Sequence, residues 1–233
     1  MSMDAPQYRH EFKYLVSAAQ IPLLRSRLSG FMSPDPHTGS AGTYEIRSLY
    51  FDDYHNSCFY ENENGTDPRE KFRIRIYNHS DSRLSLECKR KEHGMTLKTS
   101  CPLTPQQAES LMRNLPFPTA APVPPLLRKL DLLRQTELMH PVVIVNYVRE
   151  PFIYADGNVR VTFDTDISSA VPDPDRFFAS DLPARPVLPL GCHLMEVKYN
   201  GFLPDFIYRG LNLGQLRQTS FSKYSLCRKY SLR

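Results

Sequence analysis

Polar and apolar residues alternate with a period of two through much of this chain, which marks strands that present one ionic and one apolar face. In EKFRIRIY, Glu70 to Tyr77, one face carries Lys71, Arg73 and Arg75, and the other carries Phe72, Ile74 and Ile76. The opening strand sets Arg9, Glu11 and Lys13 against His10, Phe12, Tyr14 and Val16, while TYEIRSLYFDD sets Arg47 opposite Ile46 and Tyr50. RLSLECKRK places Arg83, Ser85, Glu87 and Lys89 against Leu84, Leu86 and Cys88. After a turn at Glu92 to Gly94, MTLKTS presents Thr96, Lys98 and Ser100. Three more strands follow: VVIVNYVREPFIY with Arg149, NVRVTFDTD with Arg160, Thr162 and Asp164, and CHLMEVKY with Glu196 and Lys198. The pattern predicts about eight strands whose ionic faces are mostly basic.

Helical spacing fills the intervals. Ile21, Leu24, Leu28 and Phe31 predict a first helix, with Pro22 blurring its start. Thr104, Pro105 and Gln107 form a capping box with proline at the first helical position, opening a helix through Ala108, Leu111, Met112 and Leu115. Leu126, Leu127, Leu130 and Leu133 predict a third helix after the proline-rich connector PFPTAAPVPP. A last pair is expected over 205–213 and 220–230. The proline-rich segment from Pro172 to Gly191 reads as a long ordered loop over the surface. The carboxylates of Phe51 to Asp53, FDD, at a strand end before a short helix, are read as caps, with a metal role as the less favoured alternative.

Composition narrows the class. At 233 residues and 41% hydrophobic content the chain can bury a full core, and it is read as one domain over 1–233. Its longest apolar run, Val142 to Val148, is far too short to cross a bilayer, and the amino terminus lacks the pattern of a secretion signal, so a cytoplasmic protein is expected. Attachment to a membrane through a partner protein is left open. Cys58, Cys88, Cys101, Cys192 and Cys227 are scattered and show no paired spacing, which argues against a disulfide framework or a zinc site. With 29 Lys and Arg against 25 Asp and Glu, the net charge of +4 is too small for a general nucleic-acid coat but allows a concentrated basic site.

Strand by strand, the ordinary explanation of such faces is an antiparallel sheet with its charged side in water. Taken together they resist it. Like charges opposite one another on adjacent strands destabilise a sheet, and a solvated face normally mixes both signs. The amphipathic helices also need an apolar surface, and the apolar faces of the strands supply it. The expected fold is therefore α+β: a closed antiparallel eight-stranded β-barrel with a basic interior, covered outside by helices.

The series EFKYLV, IRSLYFDD, KFRIRIY, LECKRK, VRVTFD, MEVKY and SFSKYSLC resembles the VTC domain, the polyphosphate polymerase branch of the triphosphate tunnel metalloenzymes, across nearly the whole chain and in order. That resemblance implies a tunnel that binds ATP, triphosphate or polyphosphate with Mn²⁺ or Mg²⁺. It also implies transfer of the terminal phosphoryl group of ATP to a growing polyphosphate chain, with release of ADP. It assigns phosphate contacts to Lys13, Arg47, Arg73, Arg75, Lys89, Lys98, Arg149 and Arg160, with Lys198 grouped among them. It makes Glu196 the metal-binding glutamate and places Lys223 near the phosphate path; the chemistry of the lining adds Glu87 and Asp164 as second-shell or auxiliary ligands. Arg73, Arg75, Lys89, Glu196 and Lys223 are the expected catalytic set. One departure is visible: relatives elsewhere in that superfamily open with ExExK, whereas here Arg9 stands at the first position, leaving Glu11 and Lys13. The departure counts against a two-metal hydrolytic site and suits the polymerase branch.

The chemistry is coherent without the resemblance. A triphosphate carries about four negative charges, and guanidinium groups repeated on neighbouring strands engage phosphate oxygens bidentately. Phosphoryl transfer is driven by alignment and charge stabilisation, and a phosphate acceptor, already ionised at neutral pH, needs no strong base, whereas water would. A triphosphatase, or a non-catalytic polyphosphate-binding module, would use the same lining; Glu196 separates them, since a pure binder gains little from a carboxylate among cations. RNA 5′-triphosphate processing would call for stacking aromatics at a wide entrance, which the sequence does not identify. His10 and His193 are read as packed structural residues. Arg90 points away from the face shared by Lys89 and Lys91. Glu196 also admits a simple ion pair with an arginine.

Overall fold

The computed structural model describes residues 8–116 and 123–231. Most of the proline-rich connector expected before the third helix, and both chain ends, lie outside the described residues. Among the described residues ten strands form one antiparallel sheet: β1 (His10–Ser17), β2 (Ser33–Pro34), β3 (Tyr44–Asp52), β4 (Arg69–Tyr77), β5 (Ser80–Glu92), β6 (Met95–Pro102), β7 (His140–Tyr154), β8 (Val159–Ala170), β9 (Arg185–Pro186) and β10 (Cys192–Tyr199). The main path runs β1-β10-β8-β7-β3-β4-β5-β6, with the two-residue β2 and β9 attached to β7 and β8.

The path curls into a barrel that is open, which corrects the expected closed one. Where its ends meet, Arg9, the residue before β1, forms an isolated bridge with Thr96 of β6, with backbone hydrogen bonds of 3.1 and 3.2 Å. Antiparallel continuation from that point carries β1 past the β5–β6 turn, so β1 itself forms no ladder with β6. Part of the free edge of β1 is occupied instead by a strap from the C-terminal segment: Gln218 bridges Tyr14, and the Thr219 amide donates to the Lys13 carbonyl at 2.9 Å.

Among the described residues six α-helices complete the fold: α1 (Gln20–Leu28), α2 (Ser57–Asn64), α3 (Pro105–Met112), α4 (Pro125–Thr136), α5 (Asp205–Gly210) and α6 (Lys223–Ser231). The apolar strand faces point outward to them. Ile21, Leu24 and Leu28 of α1 and Ile207 of α5 pack with Val161, Phe163, Met195 and Val197. Leu111 of α3 and Leu127 and Leu130 of α4 pack with Ile74, Ile76 and Leu86. Leu127 and Leu130 are fully buried, each contributing about 1.5–3 kcal/mol. The capping box on α3 forms as the sequence predicts, with Thr104 Oγ1 accepting from the Gln107 amide and Gln107 Oε1 from the Thr104 amide. The Pro172–Gly191 loop is ordered, burying Phe177 and Val187 against the outer face.

Helix α6 is the exception to the outer layer. It lies against β7 and β8, where Ser169 Oγ donates to the Cys227 carbonyl at 3.1 Å and the Tyr50 and Tyr224 rings sit 5.1 Å apart. The end of β3 locks it there. Asp52 Oδ1 accepts from the amides of Asp53 and Cys58, and Oδ2 accepts from the Phe59 amide and the Tyr224 hydroxyl; Asp53 Oδ1 accepts from the Ser57 amide. Both carboxylates of FDD therefore serve the start of α2, as the capping reading expects. Asp52→Ala should cost about 2–4 kcal/mol, the loss of a helix cap plus a stranded buried donor, read as a lower urea midpoint. An unchanged midpoint would contradict this arrangement.

Candidate functional site

Antiparallel partners share a face, so the register fixes what lines the concave side. Ser48 pairs Arg75 and Tyr50 pairs Arg73 across β3 and β4; Arg73 pairs Glu87, Lys71 pairs Lys89 and Arg69 pairs Lys91 across β4 and β5; Lys89 pairs Lys98 on β6. On the other side Arg149 pairs Asp164, Lys13 pairs Glu196, and Lys198 pairs both Glu11 and Arg160.

These side chains join into a belt around the interior. Arg73 grips Glu87 Oε2 through Nε and Nη2 at 2.8 and 2.6 Å and donates from Nη1 to the Tyr50 hydroxyl at 2.7 Å. Arg75 and Lys98 approach the same carboxylate at 3.5 and 3.2 Å. Arg75 also donates to the hydroxyl of buried Tyr147 at 3.3 Å, and that ring lies 5.2 Å from the Arg149 guanidinium and 4.9 Å from Lys223 Nζ. Arg149 holds both oxygens of Asp164 at 2.7 Å. Lys223, the first residue of α6, contacts Asp164 at 2.6 Å and Glu196 at 2.8 Å. Glu196 reaches Arg149 at 3.3 Å and Lys198 at 3.0 Å. Glu11 closes the belt, contacting Lys198 at 4.0 Å, Lys13 at 3.1 Å and Lys89 at 2.9 Å.

The electrostatics follow from burial with many cations. Burial alone would raise the carboxyls, yet Lys89, Lys13 and Lys198 hold Glu11 well below its usual range, and Lys198, Lys223 and Lys13 do the same to Glu196. Glu87 is lowered by Arg73 and Arg75 against the same penalty. Tyr147, buried among cations, is lowered by Arg149 and Arg75 although desolvation opposes it. Lys71 behaves differently. Its ammonium donates to Asn62 Oδ1 and, at 3.4 Å, to Ser222 Oγ, and its charged neighbours are Lys89, Arg69 and Lys13. Burial first, then those cations, push it down to about 7, and Lys89 falls to about 8 despite Glu11.

The structure brings Lys13, Arg73, Arg75, Lys89, Lys98, Arg149, Glu196, Lys198 and Lys223 together. Arg160 stands at one edge, donating to the Tyr44 hydroxyl at 2.8 Å and contacting Asp35 at 2.7 Å. Arg47 is a correction: it pairs Ile76 and Asn146, on the opposite face. There its guanidinium donates to Asn146 Oδ1 and to the carbonyls of Phe177 and Ala179, each at 2.7 Å, so it anchors the long loop. Sequence parity misassigned it because Tyr44–Asp52 is buried on both faces, and the inward set is Ser48 and Tyr50. His10 stacks on Tyr199 at 4.9 Å and His193 pairs Val16 on the outer face, away from the belt. Arg90 points outward to Glu70 and Glu92. Sequence reasoning passed over Lys71, Tyr147 and Glu11 as site residues, although Lys71 shares parity with Arg73, and Tyr147 with Arg149.

A divalent metal fits only in part. Among the described residues no group of three or more His, Cys, Asp or Glu side chains could cage one. Both oxygens of Asp164 are held by Arg149, and Glu87 is shared by Arg73, Arg75 and Lys98, so neither is an open ligand. Glu196 and Glu11, linked through Lys198, are each shared among three cations as well, mostly lysines, so a metal would have to displace ammonium groups from them. That donor set suits an ion that takes one or two carboxylates and completes its shell with phosphate oxygens and water.

The VTC domain model matches residues 8–232. No curated protein matches the sequence significantly. Among solved structures, the fold is similar to a candidate adenylyl cyclase from Hippeastrum, described with a dominant triphosphatase activity, at TM-score 0.54 and 15% identity over 97% of this chain and 98% of that one. It is also similar to a candidate adenylate cyclase from Vibrio parahaemolyticus, at TM-score 0.51 and 10% identity over 95% and 98%.

Two predictions follow from the two faces of the sheet and from the depressed lysines. Arg75→Ala should weaken tripolyphosphate binding about 10- to 100-fold, the loss of one or two charge-assisted hydrogen bonds, whereas Arg47→Met should destabilise the fold by about 2–4 kcal/mol and leave affinity within about twofold. Calorimetry and urea titration of both variants check this; the reverse pattern would place Arg47 in the site. Lys71 and Lys89 are protonated in the unfolded chain up to its ordinary value near 10.5 but lose protons in the fold from about 7 and 8. The unfolded state binds more protons between those limits, so these groups make stability rise with pH across that window. A bound anion raises both values, so tripolyphosphate binding should take up protons and weaken from pH 7 to pH 9; calorimetry in buffers of different ionisation enthalpy reads the uptake, and pH-independent binding would contradict it.

Proposed function

The chain belongs to the VTC domain family, and from that premise we propose that it is a metal-dependent polyphosphate polymerase that transfers the terminal phosphoryl group of ATP to a polyphosphate chain. The observation that carries the reading is the length of the cationic track. Arg69, Lys71, Arg73 and Arg75 follow one another on the same side of β4, spanning about 20 Å at 3.3 Å per residue. That exceeds three linked phosphates, so a donor and a second anion fit end to end.

In this reading the belt orients and stabilises. Arg73 and Arg75, pre-set by Glu87, Tyr50 and Tyr147, stabilise charge on the transferring group without having to reorganise. Lys223 and Arg149 face the same space from the other side, fixed by Asp164. Lys71, with no carboxylate contact among the described residues, takes up its full charge as the adjoining phosphates bind. Mn²⁺ or Mg²⁺, held by Glu196 and Glu11 with phosphate oxygens, would offset charge on the donor phosphates. An acceptor phosphate arrives ionised, so no residue has to remove a proton from it.

Hydrolysis is the competing reading, favoured by the triphosphatase activity described for the structural relative from Hippeastrum. Products decide between them. Incubation with ATP and Mn²⁺, with and without a short polyphosphate primer, should give internal-phosphate ³¹P signals and a ladder that grows with ADP. Orthophosphate alone would establish the triphosphatase, and binding without turnover a non-catalytic module. Glu196→Gln removes negative charge from among Lys198, Lys223 and Arg149. It should therefore tighten metal-free tripolyphosphate binding about tenfold, roughly 1.4 kcal/mol, while abolishing stimulation by Mn²⁺; full metal-stimulated turnover in that variant would remove Glu196 from the reaction.

A further inference from the structure

Every carboxylate oxygen of the belt already faces a cation. Arg149 holds both oxygens of Asp164, and Glu87 gives Oε2 to Arg73 and Oε1 to Lys98. Glu11 gives Oε1 to Lys13 and Oε2 to Lys89, and Glu196 gives Oε1 to Lys223. The remaining oxygen, Glu196 Oε2, is shared by Arg149 at 3.3 Å and Lys198 at 3.0 Å. A divalent ion therefore reaches a carboxylate here only by taking the place of a side chain.

Lys198 is the side chain least bound to its place. It follows Glu196 by two residues on the inward face of β10 and pairs Glu11 across β1. Its ammonium accordingly sits where the two carboxylates converge, 3.0 Å from Glu196 Oε2 and 4.0 Å from Glu11 Oε2. Among the described residues it forms no other ion pair. The neighbouring cations are tied more than once: Lys223 also contacts Asp164, Lys13 also donates to the Phe221 carbonyl, and Lys89 holds both oxygens of Glu11. The Lys198 side chain is also 25% exposed, against 9% for Lys223 and 8% for Arg149, so it has water to swing into. Against the cost of burial, Lys198 is the strongest of the cations that hold Glu196 below its usual range, so its departure leaves the largest deficit of positive charge.

We propose that Lys198 is a built-in substitute for the divalent cation. In the anion-free protein its ammonium occupies the place between Glu196 and Glu11, and bound phosphate draws it away, so that the ion enters with phosphate and not before it. The proposal rests on the reading of the belt as a phosphate site and adds an order of binding to it. By linkage, phosphate and metal then raise each other's affinity by the same factor, and removing the Lys198 charge should shrink that factor.

The test is Mn²⁺ binding to the full chain without any phosphate compound, read from the electron paramagnetic resonance signal of free Mn²⁺. Lys198→Met, which keeps most of the stem and removes the charge, should bind Mn²⁺ about tenfold or more tightly than the wild type. The double variant Glu196→Gln, Lys198→Met should lose that gain, which separates an opened site from a general change in net charge. Lys198→Gln serves as a second variant, and urea midpoints show that each protein folds. With tripolyphosphate present, water-proton relaxation distinguishes Mn²⁺ on the slowly tumbling protein from Mn²⁺ on the free anion, and the wild type should now take up the ion. Equal Mn²⁺ affinity of the anion-free wild type and the folded Lys198 variants would overturn the substitution while leaving the phosphate site intact. Tripolyphosphate that binds the wild type without bringing Mn²⁺ to it would overturn the substitution too. If tripolyphosphate fails to bind the wild type, the phosphate site itself falls and the order of binding with it.

Discussion

A face that buries lysines and arginines on adjacent strands is held together by the carboxylates set between them. Glu87 sits among Arg73, Arg75 and Lys98; Glu11 among Lys13, Lys89 and Lys198; Asp164 and Glu196 among Arg149, Lys223 and Lys198. Without them the sheet would place like charges opposite one another at close range, and the desolvation of so many ions would go uncompensated. The rest of the architecture follows from this arrangement. Because the concave face is given to charge, the apolar faces turn outward and α1, α3, α4 and α5 cover them. Lys223 draws the start of α6 inward, toward Asp164 and Glu196, so the C-terminal segment becomes part of the site.

The compensation is incomplete, and the remainder is where function enters. Four carboxylates serve a larger set of cations, and the shortfall is concentrated around Lys71, whose ammonium contacts an amide and a hydroxyl. A site in that condition favours an anion and pre-organises its donors for one, because the guanidinium groups are already fixed by Glu87, Tyr50, Tyr147 and Asp164. Glu196 carries a double assignment: an ion-pair partner of Lys223, Lys198 and Arg149 in the protein alone, and the proposed metal ligand when phosphate brings further oxygens.

Much of this was legible in the sequence. Alternation in EKFRIRIY, RLSLECKRK and CHLMEVKY places Arg73, Arg75, Lys89, Glu196 and Lys198 on one face, and the outward placement of the apolar residues follows from the need to cover them. Parity failed at Arg47, because β3 is buried on both sides and its inward face carries Ser48 and Tyr50. Closure of the barrel failed for a different reason: the relative offset of β1 and β6 is set by the accumulated shear of the whole sheet, which no local pattern records. The mixed sign of the belt was also understated. Glu11, Glu87 and Asp164 stand in the alternating pattern, but their role as spacers between cations emerges only when the strands are paired.

The central claim is that the concave belt is a phosphate site, and its most direct test is a crystal structure with tripolyphosphate bound. The account predicts phosphate oxygens within hydrogen-bonding distance of Arg73 and Arg75, with the chain continuing toward Lys71. Phosphate seated on the outer face, or an intact belt with tripolyphosphate excluded from it at saturating concentration, would contradict the account.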